Sequence, residues 1–233
     1  MATAVHTLVE IVERHRSDAN SHPAVVITLN PEMIMLARRS PAFSAVVESA
    51  TLVVPDGIGL VRALRRRGHP DAERVGGADL IGAYLSEADR HAHRIALVGG
   101  APGVAQQAGE RMVAAHPGLH IVAVNAGRPG KATATELEQS KPDVVLAAFG
   151  GGRQELFLDR YLGVIGAAAG IGVGGSLDFL AGRVRRAPVA VRRLGLEWAW
   201  RLAIQPWRLR RQSVLPVYWW LERREAAGSS ARR

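Results

Sequence analysis

The chain contains no cysteine. That excludes a disulfide framework, a Cys-ligated zinc site and thiol chemistry, and it fits a reducing compartment. No apolar run approaches the ~18 residues that mark a transmembrane helix. The longest, Gly163–Gly175, has 13 residues and is rich in Gly and Ala. The amino terminus, MATAVHTLVEIVERHRS, lacks a basic start followed by an apolar block and does not read as a signal peptide. There is no Asp-x-Asp pair, which argues against a diphosphate held through a divalent metal, and no Gly-x-Ser-x-Gly element, which argues against a serine hydrolase. His91-Ala92-His93 has no third ligand near it in sequence and reads as a surface pair, so no metal site is expected.

What is present is an ordinary globular balance. The 233 residues are 48% apolar and 22% charged, enough for one large α/β domain, or one domain with an appendage, to bury a core without staples. Aromatic residues are scarce and unevenly placed: all five tryptophans, Trp198, Trp200, Trp207, Trp219 and Trp220, fall near the carboxyl end. Charge is uneven too. From Arg183 onward there are 13 arginines, no lysine and three glutamates, so that segment carries about +10 and the body about −1. Arg interleaved with Trp and Leu suits a surface that is anionic outside and apolar beneath, and a bilayer interface matches best. Nucleic acid is the competing partner, with Arg on phosphates and Trp on bases. The plainest alternative is a helix that packs its tryptophans on the body and leaves its arginines solvated.

Along the chain, short apolar runs alternate with helical patterns. Val5–Arg16 is amphipathic; Ala24–Leu29, Thr51–Val54, Arg94–Val98, His120–Val124, Asp143–Phe149 and Ala167–Val173 read as strands. Pro31 opens a helix, and Ile58–Arg67, Ala78–His91, a stretch ending near His116, Thr133–Gln139 and Gln154–Leu162 read as further helices. Most strands are apolar throughout, the pattern of a parallel sheet covered on both faces. The expected architecture is therefore a Rossmann-like, mostly parallel α/β body over residues 1–182, a helical Arg/Trp-rich appendage over 183–225, and a disordered tail over 226–233.

Such sheets bind ligands beyond the carboxyl ends of their strands, so the loops there are where chemistry is sought. Thr28 and Asn30 end the first strand and offer hydrogen bonds, though Asn30 before Pro31 is also a plain N-cap. Asp56, in Pro55-Asp56-Gly57, is placed for a general base or a ribose contact, or for a turn. Arg74, before Gly76-Gly77, could bind an anion together with a helix N-terminus. Gly99 and Gly100 sit in a strand–glycine–helix junction that lacks the full phosphate-cradle spacing, so close packing is equally good. Gly150-Gly151-Gly152 precede Gln154, a candidate for a polar ring edge or a sugar hydroxyl. Gly174-Gly175 precede Asp178, a local cap or a ligand contact.

Taken in order, TLNPEM, VVPDGIGLV, ERVGGADLI, IALVGGAPGVA, PDVVLAAFGGGRQE, GVGGSLDFLAGRVRRAP and LGLEWAWRL with QPWRLRRQ resemble the WecG/TagA/CpsF family of bacterial glycosyltransferases, over residues 24 to 212 or so. The resemblance implies an inverting, metal-independent, cofactor-free transfer of a sugar, often N-acetylmannosamine or its uronic acid, from a UDP-sugar to a polyprenyl-diphosphate-linked sugar. The work is done peripherally at the cytoplasmic face of the cell membrane, in cell-surface polysaccharide or teichoic-acid synthesis. It puts Asp56 at the family's proposed base. It puts Thr28, Asn30, Arg74 and Gln154 in the substrate pocket, with Gly99, Gly100, Gly150 and Gly174 approaching UDP. Arg201, Arg208 and Arg211 match arginines thought to meet the lipid diphosphate or close the active site. Nucleic acid is then not expected, and a homo-oligomer is left open. Gly150–Glu155 replaces the family's usual Gly-Ala-Pro-Lys-Gln-Glu, and Asn125–Pro129 replaces a His-Gly-aromatic stretch; the donor sugar stays open. The residues by themselves also allow a non-catalytic nucleotide-sugar or dinucleotide binder, or a basic nucleic-acid-binding protein acting through the tail.

Overall fold

The computed structural model describes residues 1–18 and 20–230, apart from the side chains of 193 and 226–230. In chain order the elements are α1 (Ala2–Ser17), β1 (Ala24–Leu29), α2 (Pro31–Ala37), α3 (Pro41–Ser49), β2 (Leu52–Pro55), α4 (Ile58–Arg66), α5 (Gly77–Arg90), β3 (Arg94–Gly99), α6 (Val104–Ala115), β4 (His120–Asn125), α7 (Lys131–Ser140), β5 (Val144–Ala148), α8 (Arg153–Ile165), β6 (Ala169–Gly172) and α9 (Ser176–Leu180). Beyond them come α10 (Val189–Arg193), α11 (Glu197–Ile204), a 3₁₀ turn at Pro206–Arg208, α12 (Leu209–Gln212) and α13 (Leu215–Ser230). The six strands form one wholly parallel sheet in the order β2-β1-β6-β5-β3-β4.

The side-chain period of a strand is two, so an apolar run faces two layers at once. Val26, Ile95, Leu97, Val144 and Leu146 join the core beneath α1, α5, α6 and α9. Their neighbours Val25, Ile27, Ala96, Val98, Val145 and Ala147 join the core beneath α2, α3, α7 and α8. This is the body expected from the sequence. The α2–α3 break was not read there, although its signals are ordinary ones. Ser40 Oγ accepts the Phe43 N–H at 3.3 Å and Pro41 takes the first helical position.

The segment after residue 182 returns across the carboxyl ends of the strands. Trp219 on α13 lies against Gly59 of α4 so closely that a Cβ there would come within 2.9 Å of the indole. Glu222, 3% exposed, takes ion pairs from Arg66 and Arg67 at the end of α4. Gly195 packs on Ile58 in the same way, a Cβ there coming 3.0 Å from that side chain. Residues 183–225 therefore form one wall of the region where the strands end. The helix α13 runs through Ser230, where a disordered tail was expected from 226 onward; residues 231–233 lie outside the described residues.

Candidate active site

A cavity of about 500 Å³ opens where β1, β2, β5 and β6 end. Thr28, Asn30, Asp56, Arg74, Gly150, Gln154 and Gly174 line it from the body; Arg201, Arg208 and Arg211 line it from the returning segment. Of the residues singled out in the sequence, Gly99 and Gly100 are not among the lining. A Cβ on Gly99, at φ +87°, would meet the Ala148 backbone at 2.9 Å, and one on Gly100 would meet Leu177 at 3.3 Å. Close packing between β3, β5 and α9 is what those glycines serve.

Asp56 follows β2 directly. Its backbone N–H donates to Leu29 O at 2.7 Å, which ties the end of β2 to the end of β1. Gly57, at φ +114°, turns the chain sharply into α4, a conformation that strains any residue with a Cβ. The Asp56 carboxylate does not cap α4. It faces the start of α5, where Gly77 N–H donates to Oδ2 at 3.4 Å, and Arg74 Nε stands 3.6 Å from Oδ1. Burial pushes its pKa up; Arg74, the Gly77 N–H and Arg201 pull the other way, and Glu197 adds to the rise. A carboxylate so raised is a better proton acceptor than an ordinary surface one.

Asn30 serves its structural role, accepting the Met33 N–H at 3.1 Å while lining the cavity. Thr28 points its hydroxyl towards Gly77, whose missing Cβ would lie 3.2 Å from it. Gln154 is 4% exposed and held at both ends: Oε1 accepts Gly150 N–H at 3.2 Å and Nε2 donates to Glu155 at 2.7 Å. Glu155 in turn accepts Gly152 N–H at 2.6 Å and is almost fully buried, which pushes its pKa up. The N–H groups of Gly150 and Gly152 are thus committed to their own loop. Positive charge in the cavity comes from side chains.

Arg201 and Arg208 supply it. Arg201 stacks over Phe179 at 4.3 Å, and its Nε has no hydrogen-bond partner among the described residues. Arg208 Nε donates only to the neutral Gln205, at 2.5 Å. Burial pushes both guanidinium pKa values down; the charges of Arg186 and Arg74 lower Arg201 further, and those of Arg201 and Arg211 lower Arg208. Arg211 is different: it pairs with Glu32 at 3.0 Å. Asp178, which is outside the lining, faces Arg208, Arg183 and Arg201 from α9, with burial raising its pKa. Two half-buried cations with no ion-pair partner among the described residues, beside a raised carboxylate, suit an anionic substrate with a proton to lose.

A family model described as the glycosyl transferase WecG/TagA/CpsF family matches residues 1–232. The chain belongs to that family. It is 36% identical over 197 residues to the N-acetylglucosaminyldiphosphoundecaprenol N-acetyl-beta-D-mannosaminyltransferase of Bacillus spizizenii, covering 84% of this chain and 77% of the relative. A protein of the same name from Bacillus subtilis is 32% identical, covering 91% of this chain and 83% of the relative. The protein is thus a glycosyltransferase, and the parallel α/β architecture expected of it is the one observed.

The cavity also holds residues that the sequence did not place there. Glu197, Arg186 and Leu202 line it, as do Trp198 and Trp219, two tryptophans read from the sequence as interfacial. Glu197 carried a signal: it is the lone acid between Arg183 and Trp220, and it stands four residues before Arg201, on the same helix face. At the opposite end of the sheet, Glu13 stands beside His91 and His93 in a group that could ligate a metal. There Glu13 Oε1 already takes His93 Nε2 at 2.8 Å and Arg16 at 3.4 Å, and Tyr84 holds His93 Nδ1 at 2.7 Å. The cluster satisfies itself.

Proposed function

We propose that the cavity transfers an N-acetylmannosamine-type sugar from a UDP-sugar to a polyprenyl-diphosphate-linked N-acetylglucosamine, by inversion and without a metal. The observation that carries this reading is the meeting, in one cavity, of Asp56 with Arg201 and Arg208, neither of which has an ion-pair partner among the described residues. The acceptor hydroxyl oxygen bonds to the anomeric carbon as the bond from that carbon to the UDP oxygen breaks. The hydroxyl proton passes to the Asp56 carboxylate, and UDP leaves as an anion. Thr28, Asn30 and Gln154 hold the sugars, Arg74 steadies charge beside the base, and Arg201, Arg208 and Arg211 hold the acceptor diphosphate. Family membership and the names of the two Bacillus relatives support the acceptor and the donor sugar.

The test is UDP release from a panel of UDP-sugars, with a short-chain polyprenyl-diphosphate-linked N-acetylglucosamine and with chelator present. Release that needs the acceptor and ignores chelator is expected. Turnover that collapses on chelation would remove the metal-free mechanism, and no release from any donor would remove the reading.

We also assign the returning segment to an anionic membrane surface at the cytoplasmic face. No helix among the described residues is long and apolar enough to cross a membrane. Yet Trp198, Trp207, Leu209 and Trp220 are exposed, with Arg210 and Arg224 exposed on the same segment. Trp219 instead packs on Gly59, and Trp200 donates its indole N–H to Arg185 O at 3.3 Å within the same segment. Vesicles containing phosphatidylglycerol are expected to carry the protein in flotation, and a Trp207→Ser, Trp220→Ser variant to float poorly. Equal flotation of both would sink the assignment.

A further inference from the structure

Glu197 is the first residue of α11 and keeps only 12% of its side chain exposed. Each of its oxygens faces an arginine. Oε2 accepts from Arg74 Nη2 at 2.7 Å, and Oε1 lies 3.7 Å from Arg186 Nε. Arg186 continues to Asp79 Oδ2 at 2.6 Å, and Arg192 meets the other Asp79 oxygen at 3.5 Å. A single chain of alternating charge thus runs from Asp56 through Arg74, Glu197 and Arg186 to Asp79 on α5. Room for it is made at Gly76, where a Cβ would sit 2.9 Å from both Arg74 Nη2 and Asp79 Oδ2.

Arg74 therefore has two carboxylates to choose between. It gives its terminal nitrogen to Glu197 at hydrogen-bond distance and leaves only Nε near Asp56, at 3.6 Å. A guanidinium free of Glu197 would take a lone carboxylate at two points, the strongest geometry available to it. A carboxylate so paired is held ionised at low pH and is a weak proton acceptor. Asp56 and Arg74 belong to the body, whereas Glu197 arrives with the returning segment.

We propose that Glu197 is a positioning residue for the proton-accepting carboxylate: by taking Arg74 Nη2 it keeps Arg74 from closing onto Asp56, so that docking of the 183–225 segment leaves Asp56 free to accept a proton. This rests on the reading of Asp56 as the base. The charged or donating groups facing Asp56 are Arg74 from the loop before α5, the Gly77 N–H from α5, and Glu197 and Arg201 from α11; burial and Glu197 raise its pKa, and the others lower it. Those facing Glu197 are Arg74, Arg186 and, one turn on, Arg201.

The experiment is a carbon-detected NMR titration of the Asp56 carboxyl in the ligand-free full chain, beside kcat and KM for transfer, in wild type, Glu197→Gln, Arg74→Gln and the double variant. In Glu197→Gln the Asp56 midpoint is expected to fall by about 1 unit or more as Arg74 closes. The acid limb of the rate profile is expected to move down with it, and kcat to drop more than either KM rises. In the Arg74→Gln background the same Glu197 change is expected to shift the midpoint much less. An unmoved midpoint in Glu197→Gln overturns the proposal. So does an equal shift in both backgrounds, since that is direct repulsion between the two carboxylates. If Glu197→Gln fails to fold, Glu197→Asp carries the test: its shorter carboxylate keeps the charge but reaches Arg74 less well, and an Asp56 midpoint unchanged from wild type again overturns the proposal. A shifted midpoint in a protein that transfers no sugar would keep the coupling of Glu197, Arg74 and Asp56 but remove the proposed function, and with it the positioning role of Glu197.

Discussion

Asp56→Asn is expected to lower sugar transfer by about 10²–10⁴-fold, the usual contribution of a positioned base, without lowering the melting temperature at neutral pH. The two halves of this prediction have one origin. The cavity raises the pKa of Asp56 chiefly by burial. An acid whose folded pKa lies above its unfolded one contributes stability below the unfolded pKa and loses it as pH rises through the folded value. At neutral pH the ionised carboxylate therefore costs folding free energy, and a neutral amide removes that cost. Asn is also nearly isosteric, and its Oδ1 can accept the Gly77 N–H that Asp56 accepts at 3.4 Å. Thermal melts from pH 4 to 8 check the sign: the variant's advantage is largest at the upper end and fades as pH falls through the ordinary carboxylate range. Turnover within a few fold of wild type would take Asp56 out of the base role. A variant that melts well below wild type at pH 8 would mean that Arg74 and Arg201 stabilise the ion more than burial opposes it.

The sheet was legible because its cause is local. Ala24–Ile27 and Val144–Ala148 are apolar at every position, which only a strand buried on both faces requires, and the strands that hold them occupy interior places in the sheet. Thr28, Asn30 and Asp56 were legible for a related reason: a parallel sheet delivers its strand ends to one edge, so residues just after strands share a neighbourhood whatever the strand order. The glycines show where that rule stops. Gly99 ends β3 and Gly150 follows β5, and both have positive φ, +87° and +89°. Only Gly150 reaches the cavity, because α9 packs down on the β3 loop while the β5 loop stays open. Strand order and helix placement decide that, and neither is written in a single loop. The contribution of residues 183–225 was the least legible. Their composition reads as a surface for an anionic partner, and Trp198, Trp207, Leu209 and Trp220 are exposed on it. That Glu197, Arg201 and Trp219 turn inward depends on Gly59 and Gly195, which let a helix and a loop approach α4 to within contact of a missing Cβ.

Replacing Arg201 and Arg208 together by Gln is expected to cost at least about 10²-fold in transfer, the scale of losing one well-placed electrostatic donor in a water-poor site. The same change should raise the melting temperature of the ligand-free protein, or leave it unchanged. Neither guanidinium has a carboxylate partner within ion-pair reach among the described residues, and burial depresses both pKa values. A cation whose folded pKa lies below its unfolded one destabilises the fold at every pH where it stays charged. The stack of Arg201 on Phe179 at 4.3 Å offsets part of that cost and is lost in the variant, which is why equality is also allowed. A site carrying such charges uncompensated is poised for an anion, so inorganic pyrophosphate should stabilise wild type; at a concentration of 100 Kd the gain is about 2.7 kcal/mol. The double variant should show almost none of it. Kinetics then separate the two diphosphates present during transfer. If the arginines hold the acceptor, KM for the polyprenyl-diphosphate substrate rises while slow hydrolysis of the UDP-sugar by water is untouched. If they hold the departing UDP, transfer and hydrolysis fall together. Pyrophosphate stabilisation that survives the double substitution would place the anion elsewhere in the cavity, with Arg74, Arg186 and Arg211 the remaining cations on its wall.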